Sequence, residues 1–218
     1  MPLLRPKIRT SYFYARDLIL VRMLKLGRGI VEVYTGSGKG KTTAAFGLAF
    51  RALGWGYRVY IMQFMKTGTY GENRSSRFFS DNLKVEYVGK PYFIAWEEDI
   101  RPEDRKRIGN IKIFPKGKPP QDYVDLVQKS FEKLKGEMNS GLWNIVIMDE
   151  INVALYYNLI NLEQVLDFIT TKPQDVELVF TGRKVPDEII DRADLVTEMK
   201  EIKHPYAAGY NARRGIDF

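Results

Sequence analysis

The feature that most constrains the fold is a strand–loop–helix pattern near the amino terminus. Its sequence is Val31-Glu-Val-Tyr-Thr-Gly-Ser-Gly-Lys-Gly-Lys-Thr-Thr43, a short apolar strand followed by a glycine-rich loop and the start of a helix. The backbone N–H groups of such a loop, at the positive end of the helix dipole, can surround a phosphate. Gly36, Gly38 and Gly40 allow the backbone to approach it closely. The pattern therefore predicts a phosphate-binding loop.

The loop departs by one residue from the usual spacing G-x-x-x-x-G-K-[ST], because Thr35 stands where the first glycine is expected. Lys41 is predicted to reach the outer phosphates, and the Thr42 hydroxyl to hold Mg²⁺. The predicted nucleotide contacts are Gly36, Ser37, Gly38, Lys39, Gly40, Lys41, Thr42 and Thr43. The alternative is a glycine-rich turn without a ligand, but the ordered strand, loop, Lys-Thr pair and helix favour phosphate binding.

The composition is that of an ordinary globular chain. Its 218 residues, 44% hydrophobic and 28% charged, suffice for one sizeable core, so one domain is expected. The absence of cysteine and the single histidine, His204, exclude disulfides, cysteine nucleophiles and histidine clusters. The net charge of +7 favours anionic partners such as nucleotides. No apolar run approaches the roughly 20 residues that cross a bilayer, and no signal peptide is recognisable, so we expect a cytoplasmic protein.

Strand and helix signals alternate along most of the chain. Strands are predicted at 30–34, 59–64, 83–88, 145–148 and 177–180, and helices at 41–53, after the Pro119-Pro120 pair, after 148, at 162–171 and at 185–193. Residues 66–80 and the proline-rich stretch after residue 88 are predicted to be irregular. The alternation is typical of an α/β fold with a doubly wound, mainly parallel sheet. We expect this domain at 28–200, a helical arm at 1–27, and a tail at 201–218 packed on the domain.

A second motif is Asn144-Ile-Val-Ile-Met-Asp-Glu150, in which four apolar residues end in two carboxylates. The pattern places Asp149 and Glu150 at the carboxyl edge of a buried strand, where ligands bind in open α/β sheets. A carboxylate there commonly helps to hold the Mg²⁺ of a nucleotide. The alternative is an acidic start of the next helix, which the helix dipole also favours. Combined with the phosphate loop, the motif predicts binding of ATP with Mg²⁺.

Further short runs occur in the order of a known family. They are Arg51-Ala-Leu-Gly-Trp-Gly56, Gln63-Phe-Met-Lys66, Thr181-Gly-Arg183, Ala193-Asp-Leu-Val-Thr-Glu-Met199, Lys203-His204 and Gly215-Ile-Asp-Phe218. Together with the phosphate loop and the Asp149-Glu150 pair, they make the chain similar to the phosphate-loop corrinoid adenosyltransferases, from about Gly29 onward. The late first glycine is a feature of that family, so the departure from the usual loop supports the resemblance.

The resemblance implies a phosphate-loop NTPase fold of the RecA-like type. It also implies transfer of the 5′-deoxyadenosyl group of ATP to the Co(I) of a corrinoid, with release of triphosphate. Thr42 and Glu150 would ligate Mg²⁺, with Asp149 as the alternative. Lys41 and Arg183 would be the catalytic residues. The expected partners are ATP, a reduced corrinoid, a flavoprotein-type electron donor and a second copy of the chain, and neither a membrane nor a nucleic acid is expected.

On the corrinoid side, the family carries an aromatic pair, Phe-x-Trp, that displaces the lower axial ligand of cobalt. Trp96 matches the tryptophan, but Ile94 stands two residues before it and Phe93 three residues before it. Either the loop is longer by one residue and Phe93 contacts the corrinoid with Trp96, or Ile94 provides the apolar side chain. In the family the amino-terminal arm covers the corrinoid site, and an ordinary surface helix is the alternative here.

Two other functions use the same nucleotide motifs. A RecA-like ATPase stimulated by nucleic acid would use the phosphate loop and Asp149, with Glu150 activating water. A regulatory protein would bind nucleotide without turnover. Scattered basic residues and the lack of a recognisable RNA-binding signature disfavour the first alternative.

Overall fold

The computed structural model describes residues 24–79, 81–100, 110–205 and 209–217. The strands within these ranges are β1 (Val31–Thr35), β2 (Val59–Phe64), β3 (Leu83–Val88), β4 (Phe93–Trp96), β5 (Ile111–Phe114), β6 (Ile145–Asp149), β7 (Glu177–Thr181) and β8 (Leu195–Glu198). The helices are α1 (Lys41–Gly54), α2 (Gly71–Ser75), α3 (Gln121–Asn139), α4 (Ile151–Tyr156), α5 (Leu162–Thr170) and α6 (Asp187–Ile190), with 3₁₀ turns at Ser76–Phe79 and Glu97–Asp99.

The main sheet is parallel throughout, with the strand order β3-β2-β6-β7-β1-β8. Its two faces are packed by different helices. Tyr60 and Met62 face one cluster, which includes residues of α3, α4 and α5, whereas Val59 and Ile61 face a second cluster formed with the alanines of α1. Because both faces are covered, β2 is buried along its whole length. The structure confirms the α/β class and the doubly wound, parallel sheet.

Residues 66–80 are not the loop that the sequence predicted. They contain α2 and a 3₁₀ turn, whose polar side chains face the end of β2. Glycines and serines in this stretch gave a turn signal, but contacts with the rest of the fold decide its conformation. The helix predicted at 185–193 is also wrong in length, because α6 is a single turn from Asp187 to Ile190.

Part of the proline-rich stretch after residue 88 is strand. β4 and β5 form a separate parallel pair, with Phe93 opposite Ile111 and Trp96 opposite Phe114. β8 was also missed, since its four residues are all exposed and carry no buried apolar run. Both errors have one cause: these short strands are defined by pairing with residues distant in the chain, which local periodicity does not report.

The predicted amino-terminal helix lies mostly outside the described residues. Residues 24–27 are described and are not helical. They are attached to the amino edge of the sheet, where Asn144 donates its amide N–H to the Leu24 carbonyl oxygen at 2.8 Å and Lys25 pairs with Asp175. Within the ranges that the structure describes, no helix is both long enough and apolar enough to cross a membrane.

Candidate active site

Polar residues from adjacent strands meet at the carboxyl edge of the main sheet. Gln63 of β2 is opposite Asp149 of β6, and Tyr34 of β1 is opposite Thr181 of β7. The strand order places β7 between β1 and β6, so the loop after β1 and the carboxylates after β6 converge on one crevice. This is the edge at which an open α/β sheet binds its ligand.

The phosphate loop is braced by the strand that the sequence did not predict. The Gly38 N–H donates to the Met199 carbonyl oxygen at 2.6 Å, and the Met199 N–H donates to the Thr35 carbonyl oxygen at 2.8 Å. A Cβ atom on Gly38 would lie 2.7 Å from the same Met199 oxygen. Gly36 and Gly40 have φ values of 95° and 114°. The loop therefore requires glycine for contact with Met199 at one position and for backbone conformation at two others.

Lys41 lies in the loop itself. Its side chain is buried, and Nζ donates to the carbonyl oxygens of Gly36 at 2.8 Å and Gly38 at 2.7 Å. Burial lowers the pKa of Lys41, although the nearby Glu150 carboxylate opposes this shift. Backbone carbonyls are weaker partners for an ammonium than an anion would be, so a phosphate entering the loop would provide a stronger partner.

Asp149 accepts a hydrogen bond from each neighbouring element. Oδ1 accepts from the hydroxyl groups of Thr42 at 2.8 Å and Thr181 at 2.6 Å. Oδ2 accepts from Gln63 at 3.0 Å and from the Lys66 ammonium at 2.8 Å. The residue is fully buried, so these four donors provide the stabilisation that water cannot. Asp149 is therefore held in one orientation beside the first residues of α1.

Glu150 has a left-handed backbone conformation, with φ 62°. Its N–H donates to the Thr181 hydroxyl oxygen at 2.9 Å, which stabilises this unusual geometry at the start of α4. Burial and the adjacent Asp149 carboxylate raise the pKa of Glu150, while Lys66, Lys41 and Arg183 oppose the shift. The two carboxylates thus differ: Asp149 is bonded on both oxygens, and Glu150 is a buried acid surrounded by cations.

Lys66 is a site residue that sequence reasoning did not select. Its ammonium contacts Asp149 and also donates to the Thr42 hydroxyl oxygen at 3.1 Å. Burial alone would lower the pKa of Lys66, but the Asp149 carboxylate outweighs it and the pKa is raised. The signal was present in the run Gln63-Phe-Met-Lys66, because a glutamine at the end of an otherwise apolar strand, with a lysine just beyond it, is unusual in a buried position.

A cavity of about 890 Å³ opens over these residues. Its lining includes Arg183, whose side chain is exposed, and residues of the carboxyl-terminal tail such as Tyr210 and Arg213. The tail contacts the phosphate loop directly, since Lys39 donates to the Ile216 carbonyl oxygen at 3.1 Å and lies 3.6 Å from Asp217. From the predicted set, the structure brings to the cavity Gly38, Lys39, Gly40, Lys41, Thr42, Thr43, Glu150 and Arg183.

Other predicted residues lie outside the cavity lining. Gly36 and Ser37 are on the outer part of the loop, with Ser37 exposed. Asp149 lies beneath the cavity floor and reaches it through Thr42 and Lys66. The two aromatic residues Phe93 and Trp96 belong to β4, away from this set.

The structure does not bring Phe93 and Trp96 together as a pair. Residues three apart in a strand point to opposite faces. Phe93 is 60% exposed, whereas Trp96 is fully buried, packs against Tyr157 with ring centroids 5.4 Å apart, and donates its indole N–H to the Tyr156 carbonyl oxygen at 3.3 Å. The proline-rich stretch was predicted to be irregular, but at Trp96 it is a strand whose side chain is part of the core. Ile94 shares the Trp96 face and is also buried.

The oxygen atoms at the sheet edge fit a hard cation such as Mg²⁺. The Thr42 hydroxyl and the Asp149 carboxylate are hydrogen-bonded to each other, and Glu150 follows directly. In the described part of the chain, no three His, Asp or Glu side chains are arranged around one metal position. Mg²⁺ is usually held by one or two protein oxygens, with substrate phosphates and water supplying the rest.

Fold and site together define a phosphate-loop nucleotide-binding protein of the α/β class. Residues 27–218 match the family described as ATP:corrinoid adenosyltransferase BtuR/CobO/CobP. The chain belongs to this family. The match covers the phosphate loop, the Asp149-Glu150 edge, β8 and the carboxyl-terminal tail, so the elements that build the cavity all lie within it.

Relatives with assigned names agree with the family. A corrinoid adenosyltransferase of Sinorhizobium sp is 33% identical over 88% of this chain and 81% of its own. Corrinoid adenosyltransferases of Pseudomonas aeruginosa and Salmonella typhimurium are 32% and 31% identical over 88% of this chain and 84% and 86% of their own. Among solved structures, the KaiC-like protein PH0186 of Pyrococcus horikoshii OT3 has a TM-score of 0.40 and 16% identity, covering 82% of this chain and 76% of its own. A TM-score this low carries no argument about the fold, which is described by the strand order alone.

Proposed function

We propose that this protein transfers the 5′-deoxyadenosyl group of ATP to the Co(I) of a corrinoid and releases triphosphate. The observation that carries the proposal is the cavity at the carboxyl edge of the sheet, where the phosphate loop, Glu150 and Arg183 face one space in a chain of the corrinoid adenosyltransferase family. The cavity is of the size expected for a nucleotide-sized ligand.

In this reaction the C5′–O bond of ATP breaks and a cobalt–carbon bond forms. Co(I) supplies the electron pair for the new bond, and the leaving triphosphate keeps the pair of the broken bond. Since the nucleophile is the metal of the substrate, the protein needs no nucleophilic side chain, which agrees with a chain that has no cysteine. Its tasks are to align C5′ with cobalt and to stabilise the negative charge that grows on the triphosphate.

The residues around the cavity are suited to that charge. Lys41 would exchange the carbonyl oxygens of Gly36 and Gly38 for phosphate, and the loop N–H groups would donate to the same group. Arg183 and Lys39 line the cavity and add positive charge. Thr42, with Glu150 or Asp149, would hold Mg²⁺. Magnesium bound with the nucleotide supplies further positive charge to the triphosphate.

For the corrinoid, Phe93 is the exposed member of the two candidate aromatic residues, since Trp96 is fully buried. We propose that it contacts the corrinoid. A contact from Trp96 would first require its packing against Tyr157 to open. The proposal also includes a homodimer, a flavoprotein-type electron donor and a cytoplasmic location. The homodimer and the electron donor rest on the resemblance and the location on the sequence, and all three remain predictions.

The test is an anaerobic assay with chemically reduced cob(I)alamin, ATP and Mg²⁺, repeated with cobinamide. We expect a light-sensitive cobalt–carbon product and an equal amount of triphosphate, both dependent on the protein. The Lys41→Ala variant should abolish both products, because the loop loses the ammonium that faces phosphate. Failure to form product with either corrinoid would contradict the proposal, and phosphate release stimulated by DNA would favour the ATPase instead.

A further inference from the structure

The Lys66 ammonium lies against two of the oxygens that are proposed to hold magnesium. It lies 2.8 Å from Asp149 Oδ2 and 3.1 Å from Thr42 Oγ1. Its side chain is only 11% exposed, so the pair with Asp149 is shielded from solvent. In this arrangement the negative charge of the buried Asp149 is already neutralised by a cation of the protein itself.

Lys66 is held in this position by side chains around it. Gln63 donates to Asp149 and accepts from Asn73 of α2 at 2.6 Å. The same helix brings Glu72 to 3.7 Å from the Lys66 ammonium. The Lys66 ammonium also lies over the Tyr70 ring, with Nζ 5.0 Å from the ring centroid, as in a cation–π contact. Short as it is, α2 therefore helps to fix Lys66 at the sheet edge.

Two cations cannot share the same two oxygens at contact distance. A divalent ion bound by Thr42 or Asp149 would stand beside the Lys66 ammonium in a buried setting, where like charges repel strongly. Mg²⁺ also requires nearly octahedral oxygen ligands, which an ammonium among them prevents. Metal entry therefore requires Lys66 to leave, and the open cavity that Lys66 lines offers space for its side chain.

We propose that Lys66 is a tethered cation that occupies the magnesium position of the nucleotide-free protein and must be displaced when metal enters with ATP. This inference rests on the magnesium site of the proposed function. It makes Lys66 a positioning residue: it keeps the Asp149 carboxylate and the Thr42 hydroxyl aligned, and it excludes free metal until the triphosphate arrives. The displaced ammonium then has phosphate oxygens within the same cavity as partners.

The test measures Mn²⁺ binding to nucleotide-free protein by electron paramagnetic resonance, because Mn²⁺ takes the same oxygen ligands as Mg²⁺ and free and bound ion differ in signal. We expect Lys66→Met to bind Mn²⁺ at least about fivefold more tightly than the wild type, since the competing charge is gone. Lys66→Arg keeps the charge and should bind like the wild type. Lys135→Met removes an equal charge from α3, where Lys135 pairs with Glu132, and should change nothing.

Equal or weaker Mn²⁺ binding by folded Lys66→Met would overturn the proposal. Folding is checked by circular dichroism, and Thr42, Thr181 and Gln63 still donate to Asp149 in this variant. The gained binding must also disappear in the double variant with Asp149→Asn. If it persists there, the ion binds elsewhere and the proposal is wrong.

This experiment contains no corrinoid and no ATP, so its result is independent of the adenosyltransferase assay. Tighter, Asp149-dependent Mn²⁺ binding in Lys66→Met together with an inactive wild type would contradict the proposed function alone. An active wild type whose Mn²⁺ affinity does not depend on residue 66 would contradict the role of Lys66 alone.

Discussion

The Thr181 hydroxyl joins two adjacent acidic residues: it donates to the carboxylate oxygen Oδ1 of Asp149 at 2.6 Å and accepts the backbone N–H of Glu150 at 2.9 Å. A single side chain at the end of β7 thus fixes both the orientation of Asp149 and the left-handed backbone of Glu150. The geometry of the acidic edge depends on a neighbouring strand as much as on the residues that carry the charge.

We therefore expect Thr181→Val to lower kcat/KM for ATP by about tenfold or more, because the valine keeps the shape but removes both hydrogen bonds. The loss should also lower the free energy of unfolding by about 1–3 kcal/mol, since two buried groups lose a partner. Thr181→Ser retains the hydroxyl and serves as the control. Steady-state kinetics and urea unfolding measure the two effects, and equal activity of the valine and serine variants would contradict this role.

The phosphate loop provides a second prediction, because Gly38 has no room for a side chain. Gly38→Ala would place the alanine Cβ 2.7 Å from the Met199 carbonyl oxygen. This oxygen belongs to the backbone, so it cannot move aside as a flexible side chain could. We expect weaker ATP binding and a loss of about 1–3 kcal/mol in the free energy of unfolding.

The matched control is Gly136→Ala in α3, where a Cβ meets nothing within 4 Å. Alanine in a helix interior should raise the free energy of unfolding by about 0.5–1 kcal/mol and leave ATP binding unchanged. Titration calorimetry with ATP and urea unfolding distinguish the two variants. Similar ATP affinity in both would show that the loop tolerates displacement from Met199.

The two aromatic residues of β4 should respond differently to truncation. Trp96→Ala removes a fully buried ring and should cost about 3–5 kcal/mol in the free energy of unfolding. Phe93→Ala removes an exposed ring and should cost less than about 1 kcal/mol. Urea unfolding measures both, and comparable losses would mean that β4 is packed differently from this structure.

Phe93→Ala also tests the proposed contact with the corrinoid. If Phe93 contacts the corrinoid, Phe93→Ala should slow the reaction that starts from Co(II) more than the reaction that starts from chemically reduced Co(I). Equal activity of Phe93→Ala and wild type from both starting states would exclude that contact.

A carboxyl pair away from the cavity predicts a pH dependence of stability. Glu177 accepts the Ile30 N–H at 2.8 Å and lies against Glu32, which also accepts the Tyr34 hydroxyl. Burial and the hydrogen bond with Glu32 raise the pKa of Glu177 to about 7, although Lys172 opposes the shift. The folded protein therefore binds a proton more tightly than the unfolded chain, and stability falls as the pH rises from about 4.5 to about 7.

Between pH 5 and pH 8, we expect the free energy of unfolding of the wild type to fall by about 1 kcal/mol more than that of Glu177→Gln. This value is reduced because the carboxyl pair is partly exposed to solvent. Glutamine stays neutral and can still donate to Glu32, so its stability should not follow this titration. Urea unfolding at pH 5, 6, 7 and 8 measures the difference. Parallel pH profiles of the two proteins would contradict the shared proton.

The sequence predicted those parts of the fold that depend on local pattern. The sequence correctly predicted β2, the glycine-rich loop before α1, and α3. Burial on a fixed face gives such segments a regular pattern of hydrophobic residues. β8 and the β4–β5 pair could not be read in this way. Their residues alternate weakly, and pairing with strands distant in sequence determines them.

The candidate site divides in the same manner. Lys41, Thr42 and Asp149 are in motifs whose spacing carries their chemistry, so their proximity could be predicted. Lys66 and Thr181 contact Asp149 from neighbouring strands or the loops after them. No sequence motif or spacing predicts these contacts. Trp96 is a different case: the family motif predicts a corrinoid contact, which stays a prediction, and the fully buried position of its ring could not be read from the motif.

The brace between Gly38 and Met199 has a consequence for the order of events during synthesis. The loop is translated early, but the backbone oxygen of Met199 that holds it is translated only after β7 and all of β8. Chains emerge from the ribosome amino end first. A nascent chain that has already formed α1 and the strands up to β7 therefore still lacks the two hydrogen bonds that join the phosphate loop to Met199.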